Sequence, residues 1–230
     1  MCNRPSTARR EIVRIASRRT RSFGAANLTA LVSSAGVKGI ETSEQQVREA
    51  VNSEAQFLDD DWFFLPGDDR NRLYSLSLRM LAVAAPLDVP TIRAGACRTY
   101  RHRGSVLVPP LDVMTAYYRS HPAFTVDAQC RVRPSSDLDY RVELSACDRI
   151  FVEVFRSSWV GVLDRDSFHE ACVARGMTRR TFEVRATYSA ILDQAPGEIW
   201  FLRGTRISPI TAAALRHAKS AGVAFNEGQV

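Results

Sequence analysis

Long apolar runs and paired cysteines are both missing from this sequence of 230 residues. No stretch approaches the roughly 20 apolar residues that a membrane-spanning helix needs. The N-terminal letters MCNRPSTARRE include no apolar segment behind the charges, so we expect no secretory signal. The cysteines are odd in number and form no C-x-x-C pair: Cys2, Cys97, Cys130, Cys147 and Cys172. This pattern indicates neither a zinc site nor a disulfide framework, and favours reduced, mostly buried thiols in a cytoplasmic protein.

Catalytic motifs are also missing. There is no P-loop, no glycine-rich dinucleotide motif between a strand and a helix, and no H-E-x-x-H. Three residues of types that bind metals lie close together in the sequence: His169, Glu170 and Cys172. A helix here would turn His169 and Glu170 to solvent and Cys172 inward, so they would not form one metal site. The remaining histidines are scattered: His102, His121 and His217. The sequence therefore predicts no enzyme, no cofactor, no metal and no small-molecule substrate.

Lysine is nearly absent. Only Lys38 and Lys219 occur among 31 basic residues, so 29 are arginine, and the net charge is +6. Arginine presents a planar fork that pairs with phosphate or with a guanine edge, which lysine cannot do. A GC-rich genome gives the same bias without any functional cause. The charge indicates an anionic partner without identifying it.

Two short β-prone runs joined by a turn recur three times, at residues 57–66, 124–134 and 191–204. Each pair is typical of a β-hairpin. Trp62, Val132 and Trp200 fall at matching places in these ribbons, 70 and 68 residues apart. This spacing indicates a structural repeat.

Three helical segments precede each ribbon, and caps or prolines mark many of their ends. The predicted helices are 11–18, 25–35 and one capped by Thr42 or Ser43; then 73–84 and two opened at Asp88–Pro90 and at Pro110; then 147–155, 166–175 and 179–188. The sequence thus predicts a mainly α chain with small β-hairpin wings, of the α+β class, built from three consecutive winged helix-turn-helix units. The expected units are 1–66 (unit 1, with a basic arm), 70–134 (unit 2) and 138–204 (unit 3), followed by a tail at 205–230.

The order of apolar helices, proline-bounded loop and hairpin in units 2 and 3 resembles that of the HARE-HTH group. This group includes the N-terminal domain of the RNA polymerase delta subunit and modules on chromatin and DNA-modification proteins. The residues that carry the resemblance are Pro86–Leu87, His121–Phe124, Val132, Tyr188–Leu192 and Ile199–Leu202. Unit 1, with VKGIETSEQQVREAV, is more similar to the helix-turn-helix of a sigma factor or regulator. The resemblance spans residues 8–204 and implies a fold more than a function.

Unit 3 carries the favoured DNA-binding residues. The second helix of a helix-turn-helix enters the major groove with its N-terminal residues nearest the bases. Thr178, Arg179, Arg180 and Thr181 begin that helix, and Arg185 lies one to two turns further on. The helix-start amides and arginines suit phosphate and guanine, although a merely solvated helix face would look the same.

Unit 2 offers a basic loop with an aromatic residue, suited to contacts with the DNA backbone. Its residues are Arg98, Arg101, His102 and Arg103, with Tyr100 between them. An ordinary exposed loop is the alternative.

Charge divides unit 1. Residues 1–38 hold eight basic side chains against one acidic, whereas residues 39–66 hold one basic against seven acidic. We expect the basic arm to contact DNA through Arg9, Arg10, Arg14, Arg18 and Arg19. The third helix and the wing are acidic, so phosphate should repel them. We expect this face to bind a protein instead, through Glu44, Glu49, Trp62 and Phe63.

Two functions remain open at this stage. The first is a cytoplasmic, nucleoid-associated, bacterial-type protein of transcription or the chromosome that binds double-stranded DNA through units 2 and 3. The alternative is an assembly subunit that binds protein within a polymerase or DNA-processing complex.

Overall fold

The computed structural model describes residues 7–67, 71–100, 108–158, 160–205 and 213. These ranges contain ten helices and nine short strands, and the strands form three separate antiparallel sheets of three strands each. The class is mixed α+β, as the sequence predicts. No helix of the described ranges is long and apolar enough to cross a membrane.

Unit 1 begins with a long helix and ends in a hairpin. Its elements are α1 (Thr7–Phe23), β1 (Ala26–Asn27), α2 (Leu28–Gly36), α3 (Glu44–Val51), β2 (Gln56–Phe57) and β3 (Trp62–Phe64). The third helix starts where the sequence predicts, because Ser43 and Gln46 form a capping box. The sheet order is β1-β3-β2, and Phe57 pairs with Phe63.

Unit 2 repeats this order. Its elements are α4 (Arg72–Val83), β4 (Leu87–Asp88), α5 (Val89–Thr99), α6 (Leu111–Ser120), β5 (Phe124–Val126) and β6 (Arg131–Pro134). The last strand is again central, in the order β4-β6-β5, and Val132 pairs with both Leu87 and Val126.

Unit 3 repeats it once more, after one additional short helix. Its elements are α7 (Tyr140–Glu143), α8 (Ala146–Ser157), β7 (Val162–Asp164), α9 (Arg165–Ala174), α10 (Arg179–Tyr188), β8 (Leu192–Ala195) and β9 (Ile199–Leu202). The sheet order is β7-β9-β8. Of these elements, α7 and β7 were not predicted.

One short strand before the second helix of each unit escaped the sequence analysis. These strands, β1, β4 and β7, end in Asn27, Asp88 and Asp164, and each of those side chains also caps the helix that follows. The cap signal is visible in the sequence. A strand of two or three residues shows no alternation, so only its pairing with the last strand of the unit reveals it.

The hydrophobic core has two main parts. Unit 1 has a core of its own, built around Leu31, Val47 and Phe63. Units 2 and 3 share a larger one, which Phe23 and Phe64 of unit 1 also enter. The units are therefore packed together, most extensively units 2 and 3.

Two glycines allow the units to approach. Gly24 ends α1 at φ +90°, and a Cβ there would lie 2.5 Å from the side chain of Leu73 in unit 2. Gly95 lies in α5, where a Cβ would meet Met80 at 2.4 Å and the Ala190 carbonyl oxygen of unit 3 at 2.8 Å. A larger residue at either position would push two units apart.

Candidate nucleic-acid interface

The start of α10 exposes several arginines. Thr178 caps the helix, since its hydroxyl accepts a hydrogen bond of 3.2 Å from the Thr181 amide. Arg179, Arg180 and Arg185 are exposed. Within the described part of the chain, the structure gives their guanidinium groups no hydrogen bond or ion pair. The N-terminal end of α10 is thus a positively charged surface whose donors are available to an anion.

The three arginines do not share one face. Phe182 and Ala186 form the buried stripe of α10. At about 100° per residue, Arg180 projects nearly opposite that stripe, while Arg185 and Arg179 border its two edges. An approaching ligand therefore meets Arg180 first.

The Arg179 flank of α10 faces side chains that already have partners. Arg165 donates to Glu183 at 2.5 Å and lies 4.0 Å from Glu198 at the turn of the hairpin. This network supplies two carboxylates beside the helix, which disfavours a phosphate on that side.

Arg98 differs from the expectation of an exposed basic loop. Its Nη2 donates to the Ala186 carbonyl oxygen at 3.0 Å, and its guanidinium lies 4.9 Å from the centre of the Trp200 ring. Because α5 packs against α10, Arg98 joins units 2 and 3. Arg98 is therefore not among the residues that we propose to contact DNA.

The rest of that loop is only partly described. Tyr100 is buried, and its hydroxyl donates to the Ser22 carbonyl oxygen, so its ring is unavailable for stacking on a base. Arg101, His102 and Arg103 lie outside the described residues, and their predicted role stays a prediction.

The basic arm of unit 1 is the helix α1. Arg9, Arg10, Arg14 and Arg18 are exposed there, whereas Arg19 is half-buried and donates to the Ser34 hydroxyl at 2.9 Å. Arg14 bonds Glu11 at 2.5 and 2.7 Å, and Lys38 contacts the same carboxylate at 2.7 Å. These hydrogen bonds lower the pKa of Glu11 to about 2. Part of the charge of the arm is therefore balanced internally.

The acidic face of unit 1 is present, but one of its predicted contacts is not. Glu44 and Glu49 are exposed on α3, and Trp62 is half-buried. Phe63 is fully buried in the unit 1 core, because the central strand turns it inward. It cannot contact a partner, so the prediction for Phe63 is wrong.

A second cluster of arginines escaped the sequence analysis. Arg21, Arg72, Arg79 and Arg185 line one groove between the units. Arg72 and Arg79 are seven residues apart, a spacing that places them on one face of a helix. Nothing local relates them to Arg185, so only the packing of units 2 and 3 brings the set together.

Metal and thiol chemistry find little support in the described chain. No group of three His, Cys, Asp or Glu side chains there can hold a metal ion. Burial raises the pKa of the Cys172 thiol to about 12, which makes it unreactive. Cys97, Cys130 and Cys147 are half-buried free thiols, less buried than expected.

Comparisons of this chain with protein-family models, curated proteins and solved structures find no match.

Proposed function

We propose that this protein binds duplex DNA and that each of its three units is a winged helix-turn-helix. The order helix, strand, helix, helix and hairpin occurs in all three units and supports this assignment. The observation that carries the DNA-binding proposal is the exposed set of Arg179, Arg180 and Arg185 on α10, which have no hydrogen-bond or ion-pair partner among the described residues. In the proposed fold, α10 is the second helix of the helix-turn-helix in unit 3.

In this proposal α10 enters the major groove. The free amides of its first turn and Arg180 approach the DNA, and Arg185 contacts a flanking phosphate. The corresponding helices of the other units are less suited. In unit 2, α6 exposes one arginine, Arg119, and one acidic residue, Asp112, about two helical turns apart, and in unit 1, α3 is acidic. Unit 3 is therefore the principal reader, and a contribution from unit 2 falls to residues 101–103.

Fluorescence anisotropy with a labelled duplex over a range of salt concentrations tests the proposal. We expect binding to weaken steeply with salt, and the R180A/R185A variant to lower the steepness by about 2 in the slope of log K against log salt. R133A, which removes an exposed arginine from β6, is the matched control. Unchanged affinity in R180A/R185A contradicts the proposal.

A protein-binding role is the second candidate, and the acidic surface of α3 favours it. Glu44, Gln45 and Glu49 are exposed there, where they would repel DNA. A stoichiometric partner that is lost in the E44K/E49K variant, together with absent duplex affinity in the unaltered protein, would favour this candidate over the first.

A further inference from the structure

A groove of about 720 Å³ lies where the three units meet. It is bounded by α1, α4 and α10, by the start of α8 and by the segment after α10. Four arginines line it: Arg21, Arg72, Arg79 and Arg185. Asp148 is the only carboxylate among the described lining residues, so these residues together carry a net charge of +3.

One wall of the groove is a single stripe of α4. Arg72, Ser75, Leu76 and Arg79 line the groove at the spacing i, i+3, i+4, i+7, which puts all four on one face. The two arginines are separated by about 10 Å along the helix axis. This wall offers two guanidinium groups two helical turns apart.

Both α4 arginines have donors to spare. The Arg72 guanidinium lies 5.0 Å from the centre of the Tyr100 ring, a contact that leaves its N–H edge open to an anion. Arg79 is half-buried, and within the described chain the structure gives it no hydrogen bond or ion pair. Because partial burial removes part of the water around Arg79, a bound anion gains more there than at an open surface.

The opposite side of the groove adds a third arginine, Arg185, and one carboxylate, Asp148. Arg185 projects from α10 and has no ion pair with a described residue. The Asp148 carboxylate accepts hydrogen bonds of 2.8 Å from the Ser145 and Ser189 hydroxyls, and it forms no ion pair with Arg72, Arg79 or Arg185 in the described chain. The carboxylate thus holds α8 against Ser189 and forms no direct ion pair with these three guanidinium groups in the described chain.

We propose that this groove binds an oligophosphate, such as the phosphate chain of a nucleotide. Guanidinium groups pair bidentately with phosphate oxygens, and three of them around one space suit several phosphates better than one. The volume falls in the range of about 300 to 1,000 Å³ that is typical of small-molecule sites, so a single phosphate would leave most of it empty. Arg185 belongs to both proposed surfaces, whereas Arg72 and Arg79 line only the groove, so the proposal does not depend on DNA binding by α10.

Isothermal titration calorimetry of the full chain with inorganic triphosphate tests the proposal. We expect saturable binding with one triphosphate per chain. The R72A/R79A variant should lower the affinity at least about tenfold, the loss of one or two charge-assisted contacts. The single variant R79K, which keeps the charge but not the fork, should bind with intermediate affinity. R133A and R180A should bind like the unaltered protein, because neither Arg133 nor Arg180 lines the groove.

Two further titrations define the ligand. Citrate has a comparable charge but carries carboxylates, and we expect it to bind at least about tenfold more weakly than triphosphate. The affinity for an oligothymidylate strand should be the same in R72A/R79A as in the unaltered protein. Circular dichroism establishes that R72A/R79A is folded, and if it is not, R79K carries the comparison.

Four outcomes overturn the proposal. They are the absence of triphosphate binding, equal affinity for citrate, unchanged triphosphate affinity in R72A/R79A, and preferential binding of the oligothymidylate strand through Arg72 and Arg79. The last outcome would assign the groove to a nucleic-acid backbone.

Discussion

Arg203 is the only charged side chain that is buried among the described residues, at 4% exposure. It follows β9, and its guanidinium donates to the carbonyl oxygens of Ala190 and Leu192 at 2.8 Å and to the Asp193 carboxylate at 3.0 Å. Burial lowers its pKa, while the arginine still fills the space between α5 and the start of β8. Its role is to hold the segment that links α10 to its hairpin.

We predict that R203A destabilises the protein by about 3 kcal/mol, because two carbonyl groups and a carboxylate lose their buried donor. R203K, which lacks the fork, should lose a smaller part. Urea unfolding followed by circular dichroism measures both, with R133A as the exposed control. A loss in R203A no larger than in R133A would contradict this role.

A second single residue, His121, makes the stability of the fold depend on pH. Its ring lies 5.0 Å from the Tyr74 ring and 5.2 Å from the Phe124 ring, and its Nδ1 accepts a 3.2 Å hydrogen bond from the Ala123 amide. Burial lowers its pKa. The unfolded chain therefore takes up a proton near pH 6.5 before the folded chain does. Stability contributed by the neutral ring is complete above that pH and is lost as the pH falls towards the folded-state pKa.

The measurement is urea unfolding at steps between pH 7.5 and about 5, compared with His121→Asn, whose Oδ1 can accept the same amide hydrogen. We expect the unaltered protein to lose stability over this range more steeply than the variant, by at most about 1.4 kcal/mol per pH unit. Parallel curves for the two proteins would show that His121 does not titrate differently in the folded state.

At the scale of the element, caps were the most reliable sequence signal. Ser43, Asp164 and Thr178 each begin a helix where the sequence predicts one, because a side-chain oxygen that satisfies a free amide is a local feature. The exposed positions of Arg180 and Arg185 followed from the same helix pattern. Arg98 could not be placed in this way, since its partners Ala186 and Trp200 lie in unit 3. Phe63 could not be placed either, because a strand of three residues does not show which side faces the core.

The positions of the arginines around α10 predict which of them contributes most to duplex binding. Arg180 projects away from the buried stripe, whereas Arg179 lies on the flank that carries Glu183. We therefore expect R180A to weaken duplex binding most, by about 1 to 3 kcal/mol, and R179A least. Anisotropy titrations of the single variants at one fixed salt concentration give the order. An R179A effect as large as that of R180A would mean that the DNA approaches from the hairpin side.

At the scale of the whole molecule, units 2 and 3 share one core while unit 1 has its own. The helix patterns of the sequence predict three units but not this asymmetry, because the pattern within one unit does not show which exposed apolar residues meet another unit. The asymmetry matters for the proposed sites. The proposed DNA-binding surface of α10 and the proposed groove both adjoin the contact between units 2 and 3, so we expect neither to persist unchanged in unit 3 alone.

The two cores predict which parts of the chain unfold together. Phe151 is fully buried in the shared core, 5.3 Å from the Phe168 ring, and Val47 is fully buried in unit 1. We expect F151L, at a cost of about 1.5 kcal/mol, to speed amide exchange in units 2 and 3 together. V47A, at about 2 kcal/mol, should speed exchange only in unit 1. Hydrogen–deuterium exchange followed by mass spectrometry resolves the units. If F151L affects unit 3 alone, the core between units 2 and 3 does not bind them into one cooperative body, and the groove that depends on it would open independently.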